Sequence, residues 1–401
     1  MSTVRDYIDA SVLPWLPPGL ISANALAEIL QTAAKIPGGM TNFFGFECAL
    51  SQADRNADLL VCAAAQEGAR SILAGSHPLL GFPREFSTDY CWSRVFDFAR
   101  HWNDPNLPLH DRVHNVWLEF DIGKTLCDLP SPSLFFGAFG LCRSSGNGVA
   151  IPPECSWLTN LALPVLRGEQ LSLGEVAQVE RCIDALPPGT FIFQVGLMLS
   201  RKQAGTRLCV RGLKPEQIRD YLSDAGWRGS TVELDALIRP LVDHVESFAV
   251  DLDVTDRIEP KIGLECYPAI AAGKAEEFVR HLAATGFASE QKAEAICQWR
   301  GMVHERISQA PWPSDLRATS ALLNGAYYSM FYRRLHHVKI VYEPEKPLHA
   351  KAYLGVQHYW VDPKVLHKSL ERRGSDSPYA SVSQNVAEEK AACIAGSPCS
   401  C

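Results

Sequence analysis

Basic side chains recur at alternating positions of short apolar segments: Arg207 and Arg211 in R-L-C-V-R, Lys261 in K-I-G-L-E-C-Y, Lys339 in V-K-I-V-Y and Lys351 in H-A-K-A-Y-L. Aromatic residues keep them company. Tyr267 and Tyr353 lie in the lysine segments, Tyr342 follows Lys339, and Trp117 stands in V-W-L-E-F-D-I. Arginine presents a bidentate fork and lysine a compact charge, and both stabilise negative charge as it develops on oxygen. Tyrosine and tryptophan offer π faces to a cation. Glu47, in G-F-E-C-A-L-S, adds a carboxylate able to orient or deprotonate a partner. These types point to an anionic group bound beside an aromatic lining.

The alternation itself says what must position them. Successive side chains on a strand point to opposite faces, so a period of two separates an apolar face from a polar one. Such segments come in pairs joined by short polar turns: 43–50 with 57–64, 116–122 with 133–139, 191–199 with 207–212, 250–254 with 261–267, and 337–344 with 349–356. Paired strands with short turns are antiparallel neighbours. Between the pairs run helical stretches, among them 25–36 with its cap in Ser22-Ala23-Asn24, 171–182, and 214–227 with Pro215 in its first turn. The expected fold class is α+β: a ten-stranded antiparallel β-barrel built from five ββ hairpins and surrounded by a ring of α-helices. Closure removes sheet edges, and ten strands leave a lumen wider than side chains readily fill. The expected organisation is an N-terminal helical segment over 1–40, the barrel over 41–365 and a flexible cysteine-containing tail over 366–401.

Composition narrows the function classes. The 401 residues are 47% hydrophobic and 21% charged, an ordinary composition for a protein with a substantial core. A net charge of -7 argues against a nucleic-acid partner. No signal-peptide pattern and no membrane-length apolar run is present, so the expected setting is cytoplasmic, without a membrane partner. Most of the thirteen cysteines sit singly in apolar segments and read as buried free thiols of a reducing compartment.

Three local stretches carry a resemblance to a known family. G-F-E-C-A-L-S at 45–51, P-K-I-G-L-E-C-Y at 260–267 and H-A-K-A-Y-L at 349–354 are similar to strand motifs of the prenyltransferase barrel. This is the ABBA fold of aromatic and cyanobactin-type peptide prenyltransferases, and the architectural likeness spans about 40–360. It implies transfer of a dimethylallyl or geranyl group from its diphosphate to an aromatic small molecule or a peptide side chain. It also implies that Glu47 contacts the acceptor and that the lysine-tyrosine strands, Lys261 with Tyr267 and Lys351 with Tyr353, bind the diphosphate and shield the allyl cation. By residue type and strand face, Arg207, Arg211 and Lys339 are further candidates for the diphosphate, and Tyr342 and Trp117 for the cation. Lys351-Ala352-Tyr353 keeps the family's Lys-x-Tyr spacing, whereas Gly263 breaks it after Lys261. The alternative is a non-catalytic barrel that binds a small ligand or a leader or precursor peptide in natural-product maturation.

The polar faces also carry Glu119, Asp121, Asp251, Asp253 and Glu265, which would repel a diphosphate. Either Mg²⁺ held through Asp251 and Asp253 intervenes, or the acceptor bears an amine or guanidinium, or some strand faces are shifted by one residue. No cofactor, or Mg²⁺ alone, is therefore expected. The tail ends A-A-C-I-A-G-S-P-C-S-C, placing Cys393, Cys399 and Cys401 on an aperiodic terminus of open role.

Overall fold

Among the described residues thirteen strands are present: β1 (Phe43–Ala49), β2 (Ala57–Ala64), β3 (Val113–Phe120), β4 (Pro132–Ala138), β5 (Ser144–Gly146), β6 (Val149–Ile151), β7 (Phe191–Leu197), β8 (Thr206–Arg211), β9 (Ser247–Val254), β10 (Ile258–Tyr267), β11 (Gly301–His304), β12 (Tyr328–Tyr342) and β13 (His349–Val361). Ten of them follow one another around a closed antiparallel ring, β1-β2-β3-β4-β7-β8-β9-β10-β12-β13 and back to β1, the seam being the β10–β12 pairing. All five expected hairpins are in this ring. β11 extends the sheet along the far end of β12, and β5 and β6 form a separate ribbon. This computed structural model describes residues 2–364 other than 52–55, 66–67, 124–128, 143, 147–148, 152–154, 202–204, 270 and 272. Cys393, Cys399 and Cys401 lie outside that set.

The outward strand faces form the core with the surrounding helices. Val250, Leu252 and Val254 of β9, Leu208 and Val210 of β8, and Leu118 and Phe120 of β3 are buried there. The helix Tyr90–Asn103 lays Phe98 on Phe136 (centroids 5.1 Å) and Trp92 on Phe120 (6.3 Å). Trp299, closing the helix Glu290–Trp299, meets Phe46 edge-on at 6.1 Å. The helices Val4–Ser11 and Ala23–Ala33 join the same core through Val4, Ile8 and Ile29. Local signals explain their limits: the Ser22 hydroxyl accepts from the Ala25 N–H, and Ser172 with Glu175 forms a capping box before Leu173–Asp184.

Register places the inward faces in rings, because residues paired across antiparallel strands share a face. One ring joins Glu265 of β10, Lys339 of β12 and Lys351 of β13; another joins Glu47 of β1, Tyr353 of β13 and His337 of β12. Three register shifts, at Val113/Asn115, Ile192/Gln194 and Leu335/His337, break strict alternation. Each inserts an extra residue, so His114 with Asn115, Phe193 with Gln194, and His336 with His337 all face the lumen at one end of the barrel.

Candidate active site

Two contiguous cavities occupy the lumen. One, of about 250 Å³, opens at the barrel mouth formed by the β1–β2, β9–β10 and β12–β13 ends, and it gathers Glu47, Arg207, Asp251, Asp253, Lys261, Lys339 and Lys351. The other, of about 270 Å³, lies deeper and is aromatic, lined by Phe43, Trp117, Phe135, Phe193, Tyr267, His337 and Tyr353. Glu119, Arg207, Asp251 and Lys339 belong to both walls.

At the mouth each cation has a carboxylate. Arg207 grips Asp253 through Nε (2.8 Å) and a terminal nitrogen (3.0 Å), and Lys261 reaches the same carboxylate at 3.1 Å. Lys339 pairs with Asp251, and Lys351 with Glu47, to which the Tyr353 hydroxyl also donates. Arg201, in the turn after β7, holds Asp121 bidentately at 2.9 and 2.7 Å. Gly263 makes the Lys339–Asp251 pair sterically feasible, since a methyl group there would fall 2.5 Å from Lys339 Cε. The acids and the cations therefore share the lumen and neutralise one another.

Protonation follows from these contacts. Burial alone would lift Glu47, but the charges of Lys351 and Lys339 and hydrogen bonds from Lys351 and Tyr353 hold it down at about 2. Burial likewise opposes ionisation of Asp253, and Arg207 with Lys261 wins, again at about 2. Burial disfavours the Lys339 charge, yet Asp251 holds its ammonium above the ordinary range. Glu119 goes the other way: burial, then the nearby Glu47 charge, push it up to about 8. In the chamber, burial and the Lys339 charge depress His337 to about 3. Its neutral ring stacks on Tyr353 with centroids 4.1 Å apart. Burial and the Glu47 charge raise Tyr353, keeping it a neutral phenol with an intact O–H. Tyr267 donates to Glu265 at 2.5 Å, and Trp117 meets Phe43 edge-on at 5.1 Å.

Of the residues singled out from the sequence, Glu47, Arg207, Lys261, Lys339 and Lys351 converge on the mouth, and Tyr353, Tyr267 and Trp117 on the chamber beneath it. Two stand apart. Tyr342 is on the outer barrel face with Ile340, donating to Glu233 and packing 6.0 Å from Trp227. Arg211 lies at the opposite mouth, its guanidinium 4.3 Å from the Tyr267 ring centroid, in a third cavity with Glu246, Glu276 and Arg300. Asp251 and Asp253, named for Mg²⁺, are engaged by protein cations, a donor arrangement that does not fit a divalent ion. Among the described residues no group of three or more His, Cys, Asp or Glu side chains is arranged to hold a metal. Sequence reasoning missed Arg201, which sits in a turn without strand parity, and the bulge residues His114, Phe193 and His336.

No family model matches the chain, and no curated protein matches it. Among solved structures it is similar to a 6-dimethylallyl tryptophan synthase, at 12% identity over 78% of this chain and 80% of that one, with a TM-score of 0.45. It is similar also to 5-dimethylallyltryptophan synthase from Streptomyces coelicolor, at 12% identity over 88% and 94% with a TM-score of 0.43. Prenyltransferase PriB matches at 14% identity over 87% and 92% with a TM-score of 0.42. In architecture the chain resembles these prenyltransferase barrels; at such identities and scores the likeness says nothing of which substrates this chain takes.

Proposed function

We propose that this chain transfers an isoprenoid, dimethylallyl or geranyl, from its diphosphate to an aromatic small molecule or a peptide side chain. The observation that carries the reading is a cation-lined mouth opening directly onto an aromatic chamber, with Arg207 and Lys339 in the shared wall. As the allylic C–O bond breaks, negative charge grows on the leaving oxygens, where Arg207, Lys261, Lys339 and Lys351 stabilise it. The positive allyl fragment left behind faces the π clouds of Tyr353, Trp117 and Tyr267. Glu47, held by Lys351 and Tyr353, orients the acceptor. A diphosphate exchanges with the mouth carboxylates for their cations. That exchange begins at the rim, where the Lys261 side chain is 37% exposed.

The test is to incubate the protein with dimethylallyl or geranyl diphosphate and an indole- or phenol-bearing acceptor. Released diphosphate and an acceptor mass gain of one prenyl group support transfer. Absence of diphosphate binding at millimolar concentration sinks it. The complete pairing of the mouth cations favours a second reading, a barrel that retains a small ligand or a precursor peptide without turnover. Binding with no diphosphate release selects that one.

A further inference from the structure

Among the described residues, every carboxyl lining the mouth and the chamber but one is committed to a partner. Glu47 is held by Lys351 and Tyr353, Asp58 accepts from the Ile122 N–H at 2.8 Å, and Asp121 is clamped by Arg201. Asp251 and Asp253 pair with Lys339, Arg207 and Lys261, and Glu265 accepts from Tyr267 with His337 Nε2 at 3.6 Å. Glu119 has no hydrogen bond or ion pair among the described residues, and it borders both the mouth and the chamber. Its cross-strand neighbours are Leu60 on β2 and Ser133 on β4, and Trp117 follows it on the same inward face of β3 toward the chamber. It is a carboxyl placed where a bound aromatic ring would meet a bound diphosphate.

Resting on the transfer reading above, we propose that Glu119, rather than the immobilised Glu47, is the catalytic residue that accepts the proton lost by the aromatic acceptor. The allylic C–O bond breaks with its electron pair leaving on diphosphate. A π pair of the ring forms the new C–C bond to the allyl carbon. The ring C–H bond then breaks, its electrons restore aromaticity, and the proton passes to a Glu119 carboxylate oxygen and on to water at the mouth. A carboxyl that binds its proton as tightly as Glu119 is a correspondingly strong base when ionised. The groups that face it are Glu47 from β1, Arg207 from β8, Asp251 from β9, Lys339 from β12, and Lys351 and Tyr353 from β13; burial, then the Glu47 charge, dominate the upward displacement to about 8, with Lys339, Arg207 and Lys351 opposing it.

The experiment compares wild type with Glu119→Gln, using dimethylallyl diphosphate with ring-deuterated and ordinary L-tryptophan, indole and tyrosine, and inorganic pyrophosphate as a binding probe. Expected for the variant are unchanged pyrophosphate affinity at neutral pH, a fall in kcat of about 10²-fold or more, and a larger isotope effect on ring C–H loss. The wild-type rate is expected to climb with pH through about 8, and the variant's to stay flat. Equal kcat and equal pH profiles in the two proteins overturn the role of Glu119 while leaving transfer intact. If wild type neither binds pyrophosphate nor transfers, the transfer reading itself falls and this inference with it; binding without transfer to any aromatic ring overturns the inference and favours the retaining barrel. Should the variant not fold, the wild-type pH profile decides, a rate independent of pH across that range being the overturning result.

Discussion

Glu47 on β1 and Glu119 on β3, with β2 between them, project into one lumen, and the difference between them lies in what each faces. Two hydrogen-bonding partners and a second lysine keep Glu47 ionised down to about 2, whereas Glu119 has no hydrogen bond or ion pair among the described residues and holds its proton up to about 8. Folding and protonation are linked, so the sign of each effect is fixed. The raised Glu119 binds more protons folded than unfolded; its contribution is fully present below the ordinary carboxylate range and is lost as pH rises toward about 8. Glu47 and Asp253 are lowered, so their contribution is present above the ordinary range and lost as pH falls toward about 2. Glu119→Gln is accordingly expected to raise the melting temperature in buffers at and above pH 8 and to leave it unchanged in mild acid, as calorimetry at both values will read. The Lys339–Asp251 pair makes a second case, with side chains only 9% and 2% exposed. Lys339→Met strands a buried carboxylate and is expected to cost about 3–5 kcal/mol in denaturant unfolding, most of it recovered when Asp251→Asn is added.

Strand faces were legible because a period of two leaves a plain mark: Arg207 with Cys209, Lys261 with Glu265 and Tyr267, and Lys351 with Tyr353 all face inward as their spacing requires. Tyr342 obeys the same rule, since three positions separate it from Lys339 and an odd separation puts two residues on opposite faces. The bulges were not legible. An inserted residue leaves no compositional trace, so His114, Phe193 and His336 reach the lumen against the alternation of their strands. Turn residues such as Arg201 likewise carry no parity. Packing between strands adds a constraint that spacing cannot reveal: a methyl group on Gly196 of β7 would fall 2.0 Å from the Phe135 ring of β4. Gly196→Ala is expected to destabilise by about 1–3 kcal/mol and to push Phe135 into the chamber. An acceptor binding isotherm weakened beyond what lost stability explains would register that intrusion.

At the scale of the molecule, the ten-strand ring was deducible by adding up hairpins, but its seam was not. The β10–β12 pairing joins strands separated by three helices and β11, and only folding brings them side by side. A ligand that bridges strands on both sides of that seam must stabilise the whole ring. Pyrophosphate contacting Lys261 on β10 with Lys339 on β12 is expected to raise the unfolding free energy by about 2.7 kcal/mol at a hundredfold excess over its Kd. A thermal scan in which pyrophosphate shifts nothing would contradict that contact. The third cavity, of about 380 Å³ around Arg211, Tyr267 and His336, shares Tyr267 and His336 with the aromatic chamber. A path between these two side chains would give the chamber a second doorway, so that traffic through one need not wait on the other. Initial-rate plots are expected to intersect, with either substrate able to enter first. On the proposed transfer reading, diphosphate is then expected to leave past Lys261 without queuing behind the second product.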